Sequence, residues 1–485
     1  MTQDTTPRPA TTAVPPLLVE LWRLLNAHRP AVSQTRCFHR LRALVVGTLC
    51  TVARPTITGL LRALGLIDAD WSAFYRLFGG TRLDYDALTR CYLRETLTQM
   101  PAEGPYVAVM DGTQVPRSSR TLPGTAWLKN PRTPPFKPGS HRAQRYLHLA
   151  ALLPRWRGYS RAWPLRFMPA FPPKAVPGAA EPQKEWEAGL AQVAWLRGEL
   201  DAAGRTEQDL LALGDGSFDV ADLWRDLPER VTVLARTACN RVLVARPPAG
   251  AHGNRRYGAR ARTPQAWLAV RDGWRRTTIT VRGRDIPLTY RVEGPFVRER
   301  AADRPLFLLV VRGLAQAQRH RHRRRRREPA FYLVNATPRE DGTWALPRPA
   351  EELLAWAWQR WEVEVCHREM KSDAGVGAAQ CWTPTSTVRA TQWQAWAYAC
   401  AVLAGYRAWG WGYDRHPACV RPAGLWWHGG ARWSLAMLWR GYRQALRDPV
   451  FHPGRAGTRG TWPEKEAWLH QVDTLLGAAE AAVAA

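Results

Sequence analysis

Three acidic residues in separate parts of the chain place the strongest constraint on its fold. Asp111 and Asp215 each follow a short apolar run, so each is expected at the end of a β-strand. Glu364 lies in the stretch 358–365, whose spacing predicts a helix. Two such aspartates and one helical glutamate can converge on a pair of Mg²⁺ ions, because hard divalent cations prefer carboxylate oxygens. Two metals held in this way suit in-line phosphoryl transfer.

The charge of the chain narrows the class of substrate. Its 69 Lys and Arg residues against 41 Asp and Glu residues give a formal net charge of +28. Such an excess predicts strong, salt-sensitive attraction to polyanions, and nucleic acid is the expected partner. The alternative is a ribosome-associated or simply basic protein.

A dense basic run lies in the second half of the chain and is expected to form an exposed loop, since it cannot pack in a core. We interpret its arginines as a clamp on the DNA backbone, and the alternative is a solvated loop without a ligand. These arginines are Arg319, Arg321, Arg323, Arg324, Arg325, Arg326 and Arg327.

The order of predicted elements indicates the fold class. From about residue 105 a strand, a strand meander, a helix, a strand, a helix and a strand follow one another, as in an RNase H-like core. The expected helix with Glu364 arrives only after a stretch rich in strand signals, which we interpret as a β-rich insertion. The fold class is therefore α/β, with an RNase H-like core interrupted by that insertion and with helical regions at both ends.

At 485 residues the chain exceeds one ordinary core. In the 18–100 region, two short helices around Gly65 are either a helix-turn-helix that binds DNA or an ordinary helical hairpin. The predicted divisions are a flexible arm (1–17), a helical DNA-binding domain (18–100), the first part of the core (105–240), the insertion (241–347), the second part of the core (348–410) and a helical C-terminal region (411–485).

Signals for secretion, for membrane insertion and for metal binding by cysteines are all weak in this sequence. No basic segment followed by an apolar core opens the chain, and the apolar stretch 395–406 is too short to span a bilayer. We therefore expect a cytoplasmic, nucleoid-associated protein without membrane contact. The eight cysteines show no C-x-x-C spacing, and the adjacent Cys366 and His367 lack the spacing of zinc ligands.

The predicted helix around Glu364 carries a polar stripe. Residues three, four and seven apart share a helix face, so Arg360, Glu364 and Lys371 are expected on one side. Glu364 would face the metals, and the two cations would bind phosphates beside it. The alternative is a surface helix with salt bridges such as Arg360 to Glu364. Glu362 and Glu369 are rival acids, but they lie off the stripe.

The same residues give the chain its family resemblance. It resembles the DDE transposases of bacterial insertion sequences, which carry a Tyr-x2-Arg-x3-Glu-x6-Lys signature. Arg360, Glu364 and Lys371 stand at the signature spacings, whereas Ala357 occupies the tyrosine position. The similarity covers roughly residues 30 to 410, and it includes an Asp-Gly-Thr that begins at Asp111 and an Asp-Gly-Ser-Phe that begins at Asp215.

The resemblance implies an enzyme that cuts transposon ends and joins them to target DNA. Asp111, Asp215 and Glu364 would hold two Mg²⁺ ions, with Mn²⁺ able to substitute, and Arg360 and Lys371 would bind phosphates. Its partners would be double-stranded DNA, as inverted-repeat ends and as target, and a second copy of the chain in a synaptic complex. A tryptophan of the insertion would hold a flipped base, the candidates being Trp267, Trp274 and Trp344. The alternatives are a non-catalytic DNA-binding regulator derived from a transposase, and an RNase H-like nuclease that only hydrolyses.

Overall fold

The structure is a computed structural model that describes residues 14–447 and residue 474, apart from residues 67, 69, 132, 134–135, 179, 248–255, 314–327 and 411–431. The chain divides into two compact units. The first comprises the described parts of Met1–Glu95, Met370–Cys381 and Thr385–Ala485, and the second those of Thr96–Glu369 and Trp382–Pro384.

Helices and strands both contribute to the described residues. The helices are α1 (Pro16–Ala27), α2 (Thr35–Cys50), α3 (Ile57–Ala63), α4 (Trp71–Arg76), α5 (Tyr85–Leu97), α6 (Glu185–Ala202), α7 (Ala221–Arg225), α8 (Ala350–Gln359), α9 (Glu362–Ser372), α10 (Pro384–Trp409) and α11 (Leu435–Leu446). The strands are β1 (Tyr106–Pro116), β2 (Thr125–Lys129), β3 (Ser140–Leu152), β4 (Ala162–Pro169), β5 (Leu210–Gly214), β6 (Val231–Arg236), β7 (Val244–Ala245), β8 (Arg275–Val281), β9 (Arg284–Arg298), β10 (Ala301–Val311), β11 (Ala330–Asn335), β12 (Thr337–Pro338) and β13 (Trp344–Ala345).

The first unit is helical in its described residues. Helix α3 begins where the Thr56 hydroxyl accepts a hydrogen bond from the Gly59 N–H at 3.0 Å, a side-chain cap that satisfies one free amide. It ends before Gly65, whose φ of +71° suits a residue without a Cβ. The two short helices on either side of Gly65 thus form as the sequence predicts. Whether they bind DNA stays a prediction.

The second unit is built around one mixed sheet of eleven strands in the order β2-β3-β1-β5-β6-β11-β10-β9-β7, with β4 paired to β3 and β8 paired to β9. At its centre β1 runs antiparallel to β3 and parallel to β5, and β5 runs parallel to β6. Helix α6 connects the β3–β4 meander to β5. This arrangement confirms the predicted mixed α/β, RNase H-like fold class.

The predicted insertion is rich in strands, and those strands extend the central sheet. Strand β11 pairs with the core strand β6, and β10 and β9 follow outward from it. Backbone hydrogen bonds of the core therefore continue from β6 through β11 and β10 to β9. In addition, strand β2 lies in the connection between β1 and β3 and pairs with β3.

Two predicted element boundaries are wrong. Asp111 lies in the middle of β1 and not at its end, because β3 is long enough to pair with β1 as far as Pro116. The helix expected across 358–365 is two helices, since α8 ends at Gln359 and α9 begins at Glu362. Between them the N–H of Glu364 donates to the carbonyl of Trp361 at 3.1 Å, an i to i+3 bond that tightens the turn.

The arginine run Arg319–Arg327 and most of 411–485 lie outside the described residues. Of the helices that the structure does describe, none combines the length and the apolar character needed to cross a membrane.

Candidate active site

The central parallel strands bring the two aspartates to the same level of the sheet. Strands β1 and β5 are in register from Tyr106 opposite Leu210 to Val109 opposite Leu213. The same register carried two residues further places Asp111 beside Asp215. The two carboxyl groups are close enough for Asp215 to raise the pKa of Asp111.

Asp111 is a largely buried carboxyl group among other acids. Burial raises its pKa to about 7; Arg360 lowers that pKa, whereas the negative charges of Asp215, Glu364 and Glu185 each raise it further. All three predicted acids are therefore close enough to interact electrostatically. The repulsion among them is what a bound cation would relieve.

Asp215 is fixed by the turn that follows β5. Its Oδ1 accepts the Ser217 N–H at 2.8 Å and the Ser217 hydroxyl at 2.6 Å. This is an aspartate turn, in which the side chain bonds to the backbone two residues on. With Oδ1 held in this way, the orientation of the whole carboxylate is set.

Glu364 lies in the first turn of α9 and pairs with Arg360, whose Nη2 is 2.8 Å from Glu364 Oε1. The salt bridge that the sequence offered as an alternative to a catalytic stripe is thus present. This salt bridge does not exclude a catalytic role for Glu364, because Arg360 lowers and Glu364 raises the pKa of Asp111. Lys371 lies in the last turn of the same helix.

The rival acids are engaged elsewhere. Glu362 is buried and pairs with Arg282 at 2.7 Å, at the tip of the β8–β9 hairpin. Glu369 pairs with Arg161 at 3.5 Å. These two carboxylates hold structural ion pairs, which agrees with their position off the predicted stripe.

Sequence reasoning missed a fourth acid at this site. Glu185 opens α6, and its side chain lies 12% exposed beside Arg145, with Nη2 of Arg145 3.1 Å from Oε2. Burial raises the pKa of Glu185; Arg145 opposes that rise and Asp215 adds to it. The residue carries no motif or periodic signal, and only the folded arrangement reveals it.

The structure also brings two histidines to this site, and the sequence predicted a role here for neither. His148 lies directly opposite Asp111 in the β1–β3 pair, and its Nδ1 is 2.9 Å from Nε2 of His367. Nδ1 of His367 in turn lies 3.5 Å from Oδ2 of Asp111. The available signal was a histidine within an apolar stretch, and the structure buries His148 fully.

The candidate tryptophans of the insertion stack against arginines. The Arg291 guanidinium lies 4.5 Å from the ring centre of Trp267, the Arg312 guanidinium 3.9 Å from that of Trp274, and the Arg246 guanidinium 5.1 Å from that of Trp344. Trp267 and Trp274 each have a second cation–π contact, with Arg262 and Arg291 respectively, both at 5.3 Å. A role in holding a flipped base stays a prediction.

The donor set at this site suits a divalent cation. Its carboxylates are the hard oxygen ligands that Mg²⁺ prefers, and their mutual repulsion favours a cation between them. Within the described ranges, however, no group of three or more His, Cys, Asp or Glu side chains is close enough to enclose a metal ion.

A comparison with known families decides what kind of protein this is. The family model described as DDE superfamily endonuclease matches residues 30–286, which is more than half of the 485 residues. The chain belongs to the DDE superfamily of endonucleases. DNA is the substrate that this membership implies, and DDE endonucleases generally use divalent metals.

The matched region of this DDE endonuclease contains Asp111, Glu185 and Asp215 but ends before Glu364. The assignment of Glu364 therefore depends on its spacing to Arg360 and Lys371 and on its electrostatic effect on Asp111. No curated protein matches the chain significantly.

Proposed function

We propose that this DDE endonuclease is a transposase that cleaves the ends of a DNA element and joins them to target DNA. The observation that carries the proposal is the electrostatic interaction of Asp111, a largely buried carboxyl group, with both Asp215 and Glu364. Asp215 and Glu364 each raise the pKa of Asp111, although Asp215 follows another strand and Glu364 lies on a helix. The family match supports nuclease chemistry on DNA, and the Arg-Glu-Lys spacing favours transposition.

In this proposal Asp111, Asp215 and Glu364 hold two Mg²⁺ ions, which when bound would activate the attacking oxygen and stabilise the leaving one. Ser217 keeps Asp215 oriented before the metal arrives. Arg360 neutralises part of the acidic charge and is available to a phosphate oxygen when Glu364 turns to a metal. Lys371 would bind a phosphate further along the same helix.

The net charge of +28 supports binding of long stretches of DNA. Joining two ends in one event needs two active sites, so we propose that the working form is a homodimer in a synaptic complex. The arginine run from Arg319 to Arg327 would add phosphate contacts there.

The direct test incubates the purified chain with Mg²⁺ and labelled DNA that contains the ends flanking its gene. Cleavage at the ends followed by joining to a target plasmid is the expected result. Cleavage without joining would identify an RNase H-like nuclease, and binding without cleavage would identify a regulator.

A further inference from the structure

Glu185 connects the two aspartates although it lies on neither of their strands. Its carboxylate accepts the Gly112 N–H, and Gly112 directly follows Asp111 in β1. Its Oε1 also lies 3.1 Å from the Ser217 hydroxyl. That hydroxyl contacts Oδ1 of Asp215 at 2.6 Å. One side chain thus joins the backbone beside Asp111 to the turn that orients Asp215.

Gly112 makes this contact possible. A Cβ placed on Gly112 would lie 2.2 Å from Oε1 of Glu185, and real Cβ contacts do not come this close. The next atoms, the carboxyl carbon and Oε2 of Glu185, would also lie under 3.0 Å away. Any larger residue at Gly112 would therefore push the Glu185 carboxylate away from the active site.

Both oxygens of Glu185 already have polar neighbours. Oε2 pairs with Arg145 at 3.1 Å, and Oε1 lies beside the Ser217 hydroxyl. A carboxylate held in this manner supports the ligands next to it, in the way that hydrogen-bond partners behind metal ligands usually do. The Arg145 pair would have to break before Oε2 could bind a metal.

We propose that Glu185 is a positioning residue that sets the spacing and orientation of Asp111 and Asp215 for divalent metal binding. It acts through the Gly112 N–H and the Ser217 hydroxyl and is not itself a metal ligand. This role rests on the proposed two-metal function of the same site.

The test compares Glu185→Gln with Glu199→Gln, which makes the same change further along the same helix. Mn²⁺ affinity is measured by titration with electron paramagnetic resonance detection, and DNA cleavage is measured at saturating Mn²⁺. For Glu185→Gln we expect Mn²⁺ affinity to fall by about 10- to 100-fold, the usual effect of removing a partner behind a metal ligand. Glu199→Gln is expected to bind Mn²⁺ as the wild type does.

A second variant follows the proposed path of the effect. Ser217→Ala removes the hydroxyl between Glu185 and Asp215 but keeps the Ser217 backbone bond to Asp215. If Glu185 acts through Ser217, the double variant should lose little more Mn²⁺ affinity than the more affected single variant. Two independent roles would instead give losses that multiply. If Glu185→Gln does not fold, Ser217→Ala alone carries the test, with the same expected loss of Mn²⁺ affinity.

The outcomes separate this role from the proposed function. Wild-type Mn²⁺ affinity in Glu185→Gln or Ser217→Ala would overturn the positioning role while leaving the proposed function intact. Loss of all detectable Mn²⁺ binding in folded Glu185→Gln, as expected for Asp215→Ala, would make Glu185 a direct ligand and also overturn it. A wild-type chain that binds no Mn²⁺ would contradict the proposed function itself.

Discussion

His367 Nδ1 lies 3.5 Å from Oδ2 of Asp111, and the other ring nitrogen of His367 is 2.9 Å from Nδ1 of His148. Two histidines, His148 on β3 and His367 on α9, thus lie beside Asp111. A donor at Nδ1 of His367 would orient the Asp111 carboxylate, and the contact with His148 would fix which ring nitrogen carries the hydrogen.

Replacing His367 tests this support. We expect His367→Leu to lower Mn²⁺ affinity and the cleavage rate by about 10- to 100-fold, because Asp111 loses the group that orients it. His367→Gln keeps a donor of similar reach and should recover part of that loss. Equal activity in wild type, His367→Leu and His367→Gln would show that the contact has no role in the site.

The raised pKa of Asp111 predicts how the stability of the metal-free protein depends on pH. Its folded-state pKa is about 7, above the ordinary value of 3.8. Between these pH values the folded state keeps a proton that the unfolded state has lost. The free energy of unfolding should therefore fall as pH rises from about 4 to about 7, by at most about 1.4 kcal/mol per pH unit from this group.

Urea unfolding of the wild type and of Asp111→Asn from pH 4 to pH 8 isolates this contribution. As pH rises, the free energy of unfolding of the wild type should fall relative to that of Asp111→Asn, because only the wild type has the carboxyl group. A difference that stays constant with pH would mean that Asp111 has an ordinary pKa. Metal binding, which needs the ionised carboxylate, should strengthen over the same pH range.

The ion-pair network around the buried Asp219 should control stability more than activity. Asp219 is fully buried and pairs with Arg241 and Arg298, each at 2.6 Å. Asp219→Asn should cost about 3–5 kcal/mol in the free energy of unfolding, because it leaves Arg241 and Arg298 without their fully buried counter-charge. Asp222→Asn, at a more exposed acid that also has two arginine partners, is the matched control. Similar melting temperatures for the two variants would contradict this account.

The arginine run offers a test by salt dependence. Deleting Arg319–Arg327 removes seven arginines and two histidines. If every arginine contacts a phosphate, the slope of log K against log salt concentration should become shallower by about six units. Binding of the DNA ends is measured from low to physiological salt. An unchanged slope would mean that the run is a solvated loop that does not contact DNA.

Patterns of local sequence predicted much of the fold. Short apolar runs identified β1 and β5, strand signals identified β8 to β11, and Gly65 marked the end of α3. Each of these elements forms for local reasons that propensity and spacing capture. The extension of β1 beyond Asp111 was not visible in this way, because it depends on pairing with β3.

The supporting residues of the site were less accessible to sequence reasoning. Asp111, Asp215 and Glu364 could be proposed because each follows or occupies a recognisable element. Glu185 and His367 act through contacts between elements far apart in the chain. Such contacts produce no recognisable residue spacing in a single sequence, so only the folded structure shows them.

The most direct test of the central claim is a crystal structure of the chain with Mn²⁺, in which anomalous scattering locates the ions. We expect Mn²⁺ within about 2.0–2.6 Å of carboxylate oxygens of Asp111, Asp215 and Glu364. Mn²⁺ bound by the two aspartates with Glu364 still paired to Arg360 and away from the metal would contradict the claim.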